Sequence, residues 1–321
     1  MAEKLEKTEA SRPCAISGSS EAVVVATKAR EGHSLRNIIS THSGLVYVDP
    51  LHIEDLAQYY REDYRVSYKN AFVPKRKHIH RAGRVARNRL GHAKGKIRKG
   101  LKCLDIGAGG GEWVYLMNKL GCEGHGIEPN QGYGSFAKDQ YGVDVFLGMY
   151  QEAQHERGSF DLVTLFQVLE HLAEPVEDLR RMGEFLKPGG LFVIEVPDIL
   201  FAGMQFDHKW HDGHLYGFDA LTLEAVAAKA GLKKVALDVI PGNLYGVFEK
   251  SEEEVEGPDL STHFNEAWQA LQQGRSRYWS MPRTYLKVPR RLLHRSREYL
   301  EARKLDQPRQ ILDAVYEGVG A

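Results

Sequence analysis

The chain has 321 residues, enough for one large domain or one domain with appendages. Lys and Arg number 43, as do Asp and Glu, so the net charge is zero and no global field draws the chain to a polyanion. Hydrophobic residues make up 42% and charged residues 27%, a composition that allows a sizeable core and excludes a disordered or membrane-embedded class. Cys14, Cys103 and Cys122 are too few and too scattered for a disulfide framework, and they fit a reducing, cytoplasmic compartment. The opening MAEKLEKTEA lacks the apolar stretch of a signal peptide, and no apolar run reaches the length of a membrane span. Membrane contact is therefore expected to be peripheral if it occurs.

In chain order, residues 1–20 are polar and read as loose. An apolar run from Ala22 to Ala26 leads through a turn into Leu45-Val46-Tyr47-Val48, and a helix is expected from Ile53 to Tyr60. These make an N-terminal region of 1–66. A basic helical segment follows over 67–100. From Pro74 to Gly100 it holds eleven Lys or Arg, three His and no acid. From 101 to 250, strand and helix alternate, the pattern of a parallel sheet with crossover helices. Strands are expected at 101–106, 124–128, 143–147, 160–166 and 191–196, and helices at 112–120, 132–140 and 176–187. The run Lys187-Pro188-Gly189-Gly190 reads as the stop of the last helix. A helix over 220–230 takes Asp219 as N-cap and Gly231 beyond its end. A hairpin of 233–239 and 243–249 turns at Pro241-Gly242-Asn243. Residues 251–321 form an acidic linker, rich in Glu from Glu252 to Glu256, and a helical extension that is basic from Arg275 to Lys304.

The strongest chemical signal is Leu104-Asp105-Ile106-Gly107-Ala108-Gly109-Gly110-Gly111. An apolar strand runs into a glycine loop and a helix follows. Glycines let the backbone turn tightly and let a nucleotide-like ligand approach closely. Asp105 beside the loop would repel a pyrophosphate, whereas it suits a ligand that is cationic at an amine and a sulfonium. The spacing is also not a clean Gly-x-Gly-x-x-Gly dinucleotide pattern. One helix and one strand later, Glu128 ends Gly126-Ile127-Glu128-Pro129-Asn130, where a carboxylate can accept from both ribose hydroxyls.

These residues resemble class I S-adenosylmethionine-dependent methyltransferases, in the branch of ubiquinone-pathway O-methyltransferases and sugar methyltransferases. The resemblance covers roughly 100–250. It extends to Phe160-Asp161-Leu162-Val163, Gln167-Val168-Leu169-Glu170-His171 and Leu186-Lys187-Pro188-Gly189-Gly190. It implies an α/β, Rossmann-like, seven-stranded, mostly parallel sheet with helices on both faces, flanked by an N-terminal cap and a helical C-terminal extension. The implied cofactor is S-adenosylmethionine. Asp105, Gly107, Ala108, Gly109 and Gly111 would form its methionine loop, Glu128 would hold the ribose, Gly148-Met149-Tyr150 would flank the adenine, and Gln167 would border the methyl group.

Methyl transfer from a sulfonium is an in-line displacement, so alignment and exclusion of water are the main tasks. A sugar hydroxyl stays protonated at neutral pH, so a general base assists. His171 is the first candidate base, with Glu170 orienting it; the competing reading is a residue that only orders the loop. The second candidate region is Asp207-His208-Lys209-Trp210-His211-Asp212-Gly213-His214-Leu215-Tyr216. There His211 and His214 are the preferred acceptor-pocket residues, against a metal site or a structural loop. No resident metal is expected.

Two short segments, Cys14-Ala15-Ile16-Ser17-Gly18 and Ser40-Thr41-His42-Ser43-Gly44, read as matching knuckles. Related sugar methyltransferases often carry a Cys-x-x-Cys pair in each, followed by Gly-Leu-Val-Tyr. By that resemblance this is a zinc ribbon that has lost three of its four ligands to serine, which does not replace thiolate on zinc. By the same resemblance the following helix, with Tyr59, Tyr60 and Tyr64, is expected to cap an acceptor site.

The expected activity is O-methylation of a sugar or glycan-type hydroxyl. N- or C-methylation of another small molecule stays open, as does a polyanion-binding protein on the same fold. The acceptor is a small molecule or glycan, and an anionic one would suit the basic stretch 75–99. That stretch lacks the interleaved aromatics of a single-strand reader, so nucleic acid is not expected. Peripheral membrane contact through the basic tail and homo-oligomerisation stay open.

Overall fold

The structure is a computed structural model. It describes residues 6–53, 55, 58–63, 73–93, 95–280, 305 and 307–319. Parts of the expected helix 53–60, Tyr64 and the basic tail from 281 to 304 lie outside the described residues. The described strands are β1 (Lys7–Glu9), β2 (Glu21–Lys28), β3 (Ser34–Ser40), β4 (Val46–Val48), β5 (Lys102–Ile106), β6 (Glu123–Glu128), β7 (Asp144–Leu147), β8 (Phe160–Phe166), β9 (Leu186–Pro197), β10 (Tyr216–Gly217), β11 (Leu232–Ile240) and β12 (Asn243–Lys250). The helices are α1 (Arg76–His92), α2 (Glu112–Lys119), α3 (Gln131–Tyr141), α4 (Pro175–Gly183), α5 (Ala220–Lys229), α6 (His263–Arg277) and α7 (Pro308–Val315).

Two sheets organise these elements. One has seven strands in the order β11-β12-β9-β8-β5-β6-β7, and the other has five in the order β1-β2-β3-β4-β10. The chain divides into two compact units that interleave in sequence. One comprises 1–54, 166–183 and 194–285, the other 55–165, 184–193 and 286–321.

In the second of these units, β5 pairs in parallel with both β6 and β8. From β5 the chain first builds outward through β6 and β7, then returns to place β8 on the other side of β5. The order therefore reverses beside β5, and a ligand crevice belongs at the carboxyl ends of strands flanking such a point. Ile106 pairs with Leu165, so β5 and β8 end together. β8 is a near-continuous apolar run, as both-face burial demands.

The helix expected to reach 187 stops at Gly183 instead, and Lys187-Pro188-Gly189-Gly190 lies within β9. The carbonyls of Glu184 and Phe185 accept from the amides of Gly158 and Phe160. Those bonds commit residues 184 and 185 to the 158–160 segment rather than to a further helical turn. Lys187 then pairs with Asp161, Nζ to Oδ1 at 2.7 Å.

In the other unit, the five-stranded sheet is antiparallel, with Val24 opposite Ile38, Ile38 opposite Tyr47 and Tyr47 opposite Tyr216. The valines and isoleucines of β2 and β3 suit a pleated, half-buried surface. Val23, Val25, Ile39 and Val46 pack with Phe206, Trp210, Ala267 and Leu271. The N-terminal stretch expected to be loose is tied down from Lys7 onward. β1 pairs with β2. The buried Asp49 carboxylate accepts from the Ser11 amide at 2.9 Å and from Arg36 at 2.8 Å. The Arg12 guanidinium lies against the rings of Tyr47 and Tyr216, 5.3 and 4.9 Å from their centroids, and donates to the Tyr216 hydroxyl.

The two knuckles are geometric twins. Gly18 donates to the Cys14 carbonyl and Gly44 to the Ser40 carbonyl, at 2.9 and 3.0 Å. Both glycines sit at φ near +70°. The four side chains at the ligand positions meet in two cross-pairs, Cys14 Sγ with Ser43 Oγ at 3.2 Å and Ser17 Oγ with Ser40 Oγ at 3.4 Å. A chain carrying Ser17→Cys, Ser40→Cys and Ser43→Cys is expected to take up stoichiometric zinc, measured by plasma mass spectrometry. Zinc already present in the unaltered chain and lost on Cys14→Ala would overturn the reading of lost ligands.

Asp219 caps α5 by accepting from the Leu221 and Thr222 amides. Its second oxygen meets His263 Nε2 at 3.0 Å in a buried pair. Burial opposes the charge on His263, but the Asp219 bond outweighs it and raises the imidazole above its usual range. The pair's stabilisation is therefore fully present below about pH 6.5 and is lost as pH rises through the folded-state value. The melting temperature is expected to fall across that window, and His263→Gln should flatten the dependence. An unchanged slope in the variant would assign it elsewhere.

Candidate functional site

The glycine loop is set by β5, β6 and β8. Gly107 and Ala108 both donate to the Ile127 carbonyl, and Gly111 donates to Ala108, all within 2.9 Å. Gly107, Gly109 and Gly111 adopt φ of 80°, 57° and 80°, conformations that a β-carbon disfavours. A β-carbon at Gly111 would also stand 2.7 Å from the Ala137 β-carbon. The loop is therefore closed against α3 at Gly111.

Glu128 is 2% exposed and holds this loop. One carboxylate oxygen accepts from the Gly109 amide at 2.6 Å, the other from the Asn130 amide at 3.0 Å. Its carbonyl accepts from Gly148, and the Glu152 carboxylate caps Met149, which brings Met149 and the buried Tyr150 beside the acid. The π-helical turn Tyr59–Asp63 adjoins this segment: the Arg61 carbonyl accepts from Asn130, and the Arg61 guanidinium pairs with Glu152 at 2.6 Å.

Asp105 is buried and accepts from Thr164 Oγ1 at 2.6 Å. Burial raises its pKa to about 7, against the Thr164 bond and the Arg89 charge, which lower it; Glu128 and Glu112 add to the rise. Thr164 was not expected as a site residue. Its signal was a lone hydroxyl inside the apolar run Leu162-Val163-Thr164-Leu165.

In the other unit, Gln167 follows β8 with φ 58°, the one non-glycine residue of positive φ among the described residues. Its amide N–H donates to the Glu195 carbonyl at 2.7 Å, and its side chain reaches Glu195 and Asn243 at 3.3 and 3.4 Å. Neither partner stands out in the sequence.

Glu170, His171 and His214 come together, with one potential ligand atom from each within 4.8 Å of the others. His171 Nδ1 lies 2.5 Å from the Gly213 carbonyl. A carbonyl only accepts, so Nδ1 carries a hydrogen. Nε2 lies 3.8 Å from Glu170 Oε1. His211 Nδ1 accepts from the Gly213 amide at 2.9 Å, so Gly213 fixes both rings. Burial, with His171 and His211 close by, pushes His214 well below the usual imidazole range, and burial with the Arg30 charge lowers His211. The arrangement can accept a proton at His171 or hold a divalent cation through Glu170, His171 and His214. His208 does not join it and is exposed, and Trp210 packs in the core rather than offering a stacking face. Lys209 is buried, its amine pushed down to about 8 by that burial, and donates to the carbonyls of Ile199 and Phe201.

A mostly parallel sheet with a glycine loop after β5, an acid closing the neighbouring strand β6 and a buried carboxylate on β5 is an arrangement of α/β proteins that bind nucleoside cofactors. Residues 76–237 match the model of the methyltransferase domain family. The chain belongs to that family, and its cofactor is S-adenosylmethionine. A ubiquinone biosynthesis O-methyltransferase of Azorhizobium caulinodans is 34% identical over 162 residues, 45% of this chain and 64% of the relative. That of Ruegeria pomeroyi is 39% identical over 97 residues, 29% of this chain and 39% of the relative. The chain thus spans less than two thirds of the length of either. Among solved structures, an S-adenosylmethionine-dependent methyltransferase from Aquifex aeolicus aligns over 55% of this chain and 99% of its own, with TM-score 0.44 and 13% identity.

The raised pKa of Asp105 carries a sign. The neutral form is favoured in the fold, so its contribution to stability is present below the ordinary 3.8 and is lost as pH rises through about 7. A ligand bearing an ammonium and a sulfonium favours the ionised form. Cofactor affinity is therefore expected to rise as pH climbs from 6 to 8, with proton release seen in calorimetry as a dependence on buffer ionisation heat. Asp105→Asn should abolish both. A buffer-independent heat in the wild type would sink this coupling.

Proposed function

We propose that the protein transfers the methyl group of S-adenosylmethionine to a hydroxyl oxygen of a small-molecule or glycan acceptor, with His171 as proton acceptor. What supports the proton step is the placement of the ring: the Gly213 carbonyl holds Nδ1 and Nε2 faces the Glu170 carboxylate. In this reading the oxygen attacks the methyl carbon, the carbon–sulfur bond breaks, the hydroxyl proton goes to Nε2 and S-adenosylhomocysteine leaves. Glu170 steadies the imidazolium that forms. Glu128 receives the ribose hydroxyls, Met149 and Tyr150 flank the adenine, and Gln167 borders the methyl group. The names of the curated relatives support oxygen as the acceptor atom. The paired knuckles and the histidine cluster support a sugar hydroxyl, which needs a base more than a phenol does.

A second reading gives the same cluster to a divalent cation, which would lower the pKa of the acceptor hydroxyl. The three converging donors favour it, and so does the Nδ1 hydrogen bond of His171 to a carbonyl, a common support for ligating histidine.

The test is turnover to S-adenosylhomocysteine across nucleotide sugars, glycans and phenols, with and without chelator. His171→Ala is expected to lower kcat by about 10²–10⁴-fold while leaving the cofactor Kd near wild type. Loss on chelation that added metal restores would support the cation reading over the proton acceptor. Folded protein that binds no S-adenosylmethionine, or turnover indifferent to His171, would overturn the proposal.

A further inference from the structure

The C-terminal helix α7 belongs to the same unit as the cofactor loop, and nothing in the proposed chemistry uses it. Ile311 and Leu312 are fully buried. A β-carbon on Gly83 of α1 would stand 2.7 Å from Leu312 Cδ2, so Leu312 of α7 fills the space an alanine methyl would take. Arg87 of α1 donates to the Val315 carbonyl at 2.8 Å.

Other polar contacts of α7, and of Tyr316 at its C-cap, converge on one face of α2. The Tyr316 hydroxyl donates to the Glu112 carbonyl at 2.9 Å. Tyr115 donates its hydroxyl to Asp313 at 2.7 Å and accepts from Arg309 at 3.1 Å. Asp313 also pairs with Lys119. Positions 112, 115 and 119 fall on one side of a helix. Gly111, the last loop residue, is the N-cap of α2, and its carbonyl accepts from Tyr115. The Glu112 carboxylate fills the space beside Gly110, 2.7 Å from where a β-carbon there would stand. A shift of the first turn of α2 therefore moves Gly110 and Gly111 with it.

We propose that α7 with Tyr316 braces the cofactor loop from behind: Tyr316 is a positioning residue that sets the first turn of α2 and hence the pose of Gly109–Gly111 toward S-adenosylmethionine. The proposal rests on the cofactor assignment. A carbonyl oxygen has two lone pairs, so the Tyr316 bond adds to the helix ladder without replacing a bond in it. Tyr316 is 3% exposed, and burial holds its hydroxyl protonated far above the working range, which keeps it a donor.

Tyr316→Phe keeps the ring and removes only the donor. Expected are a roughly fivefold rise in the Kd and KM for S-adenosylmethionine, the size of one lost hydrogen bond, with kcat near wild type. Amide exchange at Gly109–Tyr115 should quicken in cofactor-free protein while distant amides stay unchanged. Gly83→Ala displaces Leu312 with the hydroxyl intact and is expected to act in the same direction. An unchanged Kd and unchanged loop exchange in Tyr316→Phe would overturn the brace, as would a uniform fall in stability with no local change. Wild-type protein that fails to bind S-adenosylmethionine would strike the cofactor assignment instead, and loop exchange would still decide the brace.

Discussion

The glycine loop depends on one carboxylate. A run of glycines has high conformational entropy and no side chains to hold it, so something outside must fix its shape. Glu128 does so from the end of the neighbouring strand by accepting from Gly109 and from Asn130. Its backbone also accepts from Gly148, so one residue ties together the glycine loop, the start of α3 and the segment of Met149 and Tyr150. Because it is buried, an unpaired charge there would be costly, and the two amides answer that need. The loop is thus ordered before a ligand arrives, which cuts the entropy lost on binding.

The histidine cluster follows a different logic in the other unit. Its rings are set by backbone rather than by a carboxylate, with Gly213 donating to His211 and accepting from His171. One residue, through its N–H and its carbonyl, orients two rings. Around it, the Leu215 amide donates to the Glu170 carbonyl, and Arg12 secures Tyr216 from the N-terminal strands. The five-stranded sheet built from those strands therefore serves as a mount for the loop 207–216.

The sheet and the loop were largely legible in the sequence, because apolar runs ending in glycines announce parallel strands and because Asp105 and Glu128 stand at strand ends. The knuckles were legible as well, since Gly18 and Gly44 each close the same four-residue spacing. Helix α4 ends at Gly183, short of the Pro-Gly-Gly stop, because that stop says nothing about the sheet bonds that end a helix earlier. Strand β3 was missed because Arg36 and Asn37 interrupt its apolar residues. Gln167's partners were invisible for another reason: Glu195 and Asn243 sit on strands distant in sequence, and only strand order brings them together. The ties between α7 and α2 were equally hidden, because Tyr316 and Asp313 look like ordinary tail residues until Glu112 and Tyr115 are placed.

The left-handed backbone of Gln167 limits what can stand at that position. Residues branched at the β-carbon pay heavily for such a φ, whereas glycine and asparagine adopt it readily. Glycine would relax the chain but surrender both side-chain contacts. Asparagine would keep an amide but shorten its reach by one methylene. Most other exchanges would alter chain direction just beyond β8 as well as side-chain chemistry, so an alanine scan here would report on geometry and on hydrogen bonding at once. Sequence variation at 167 should therefore be narrow for reasons of shape, whatever molecule the protein methylates.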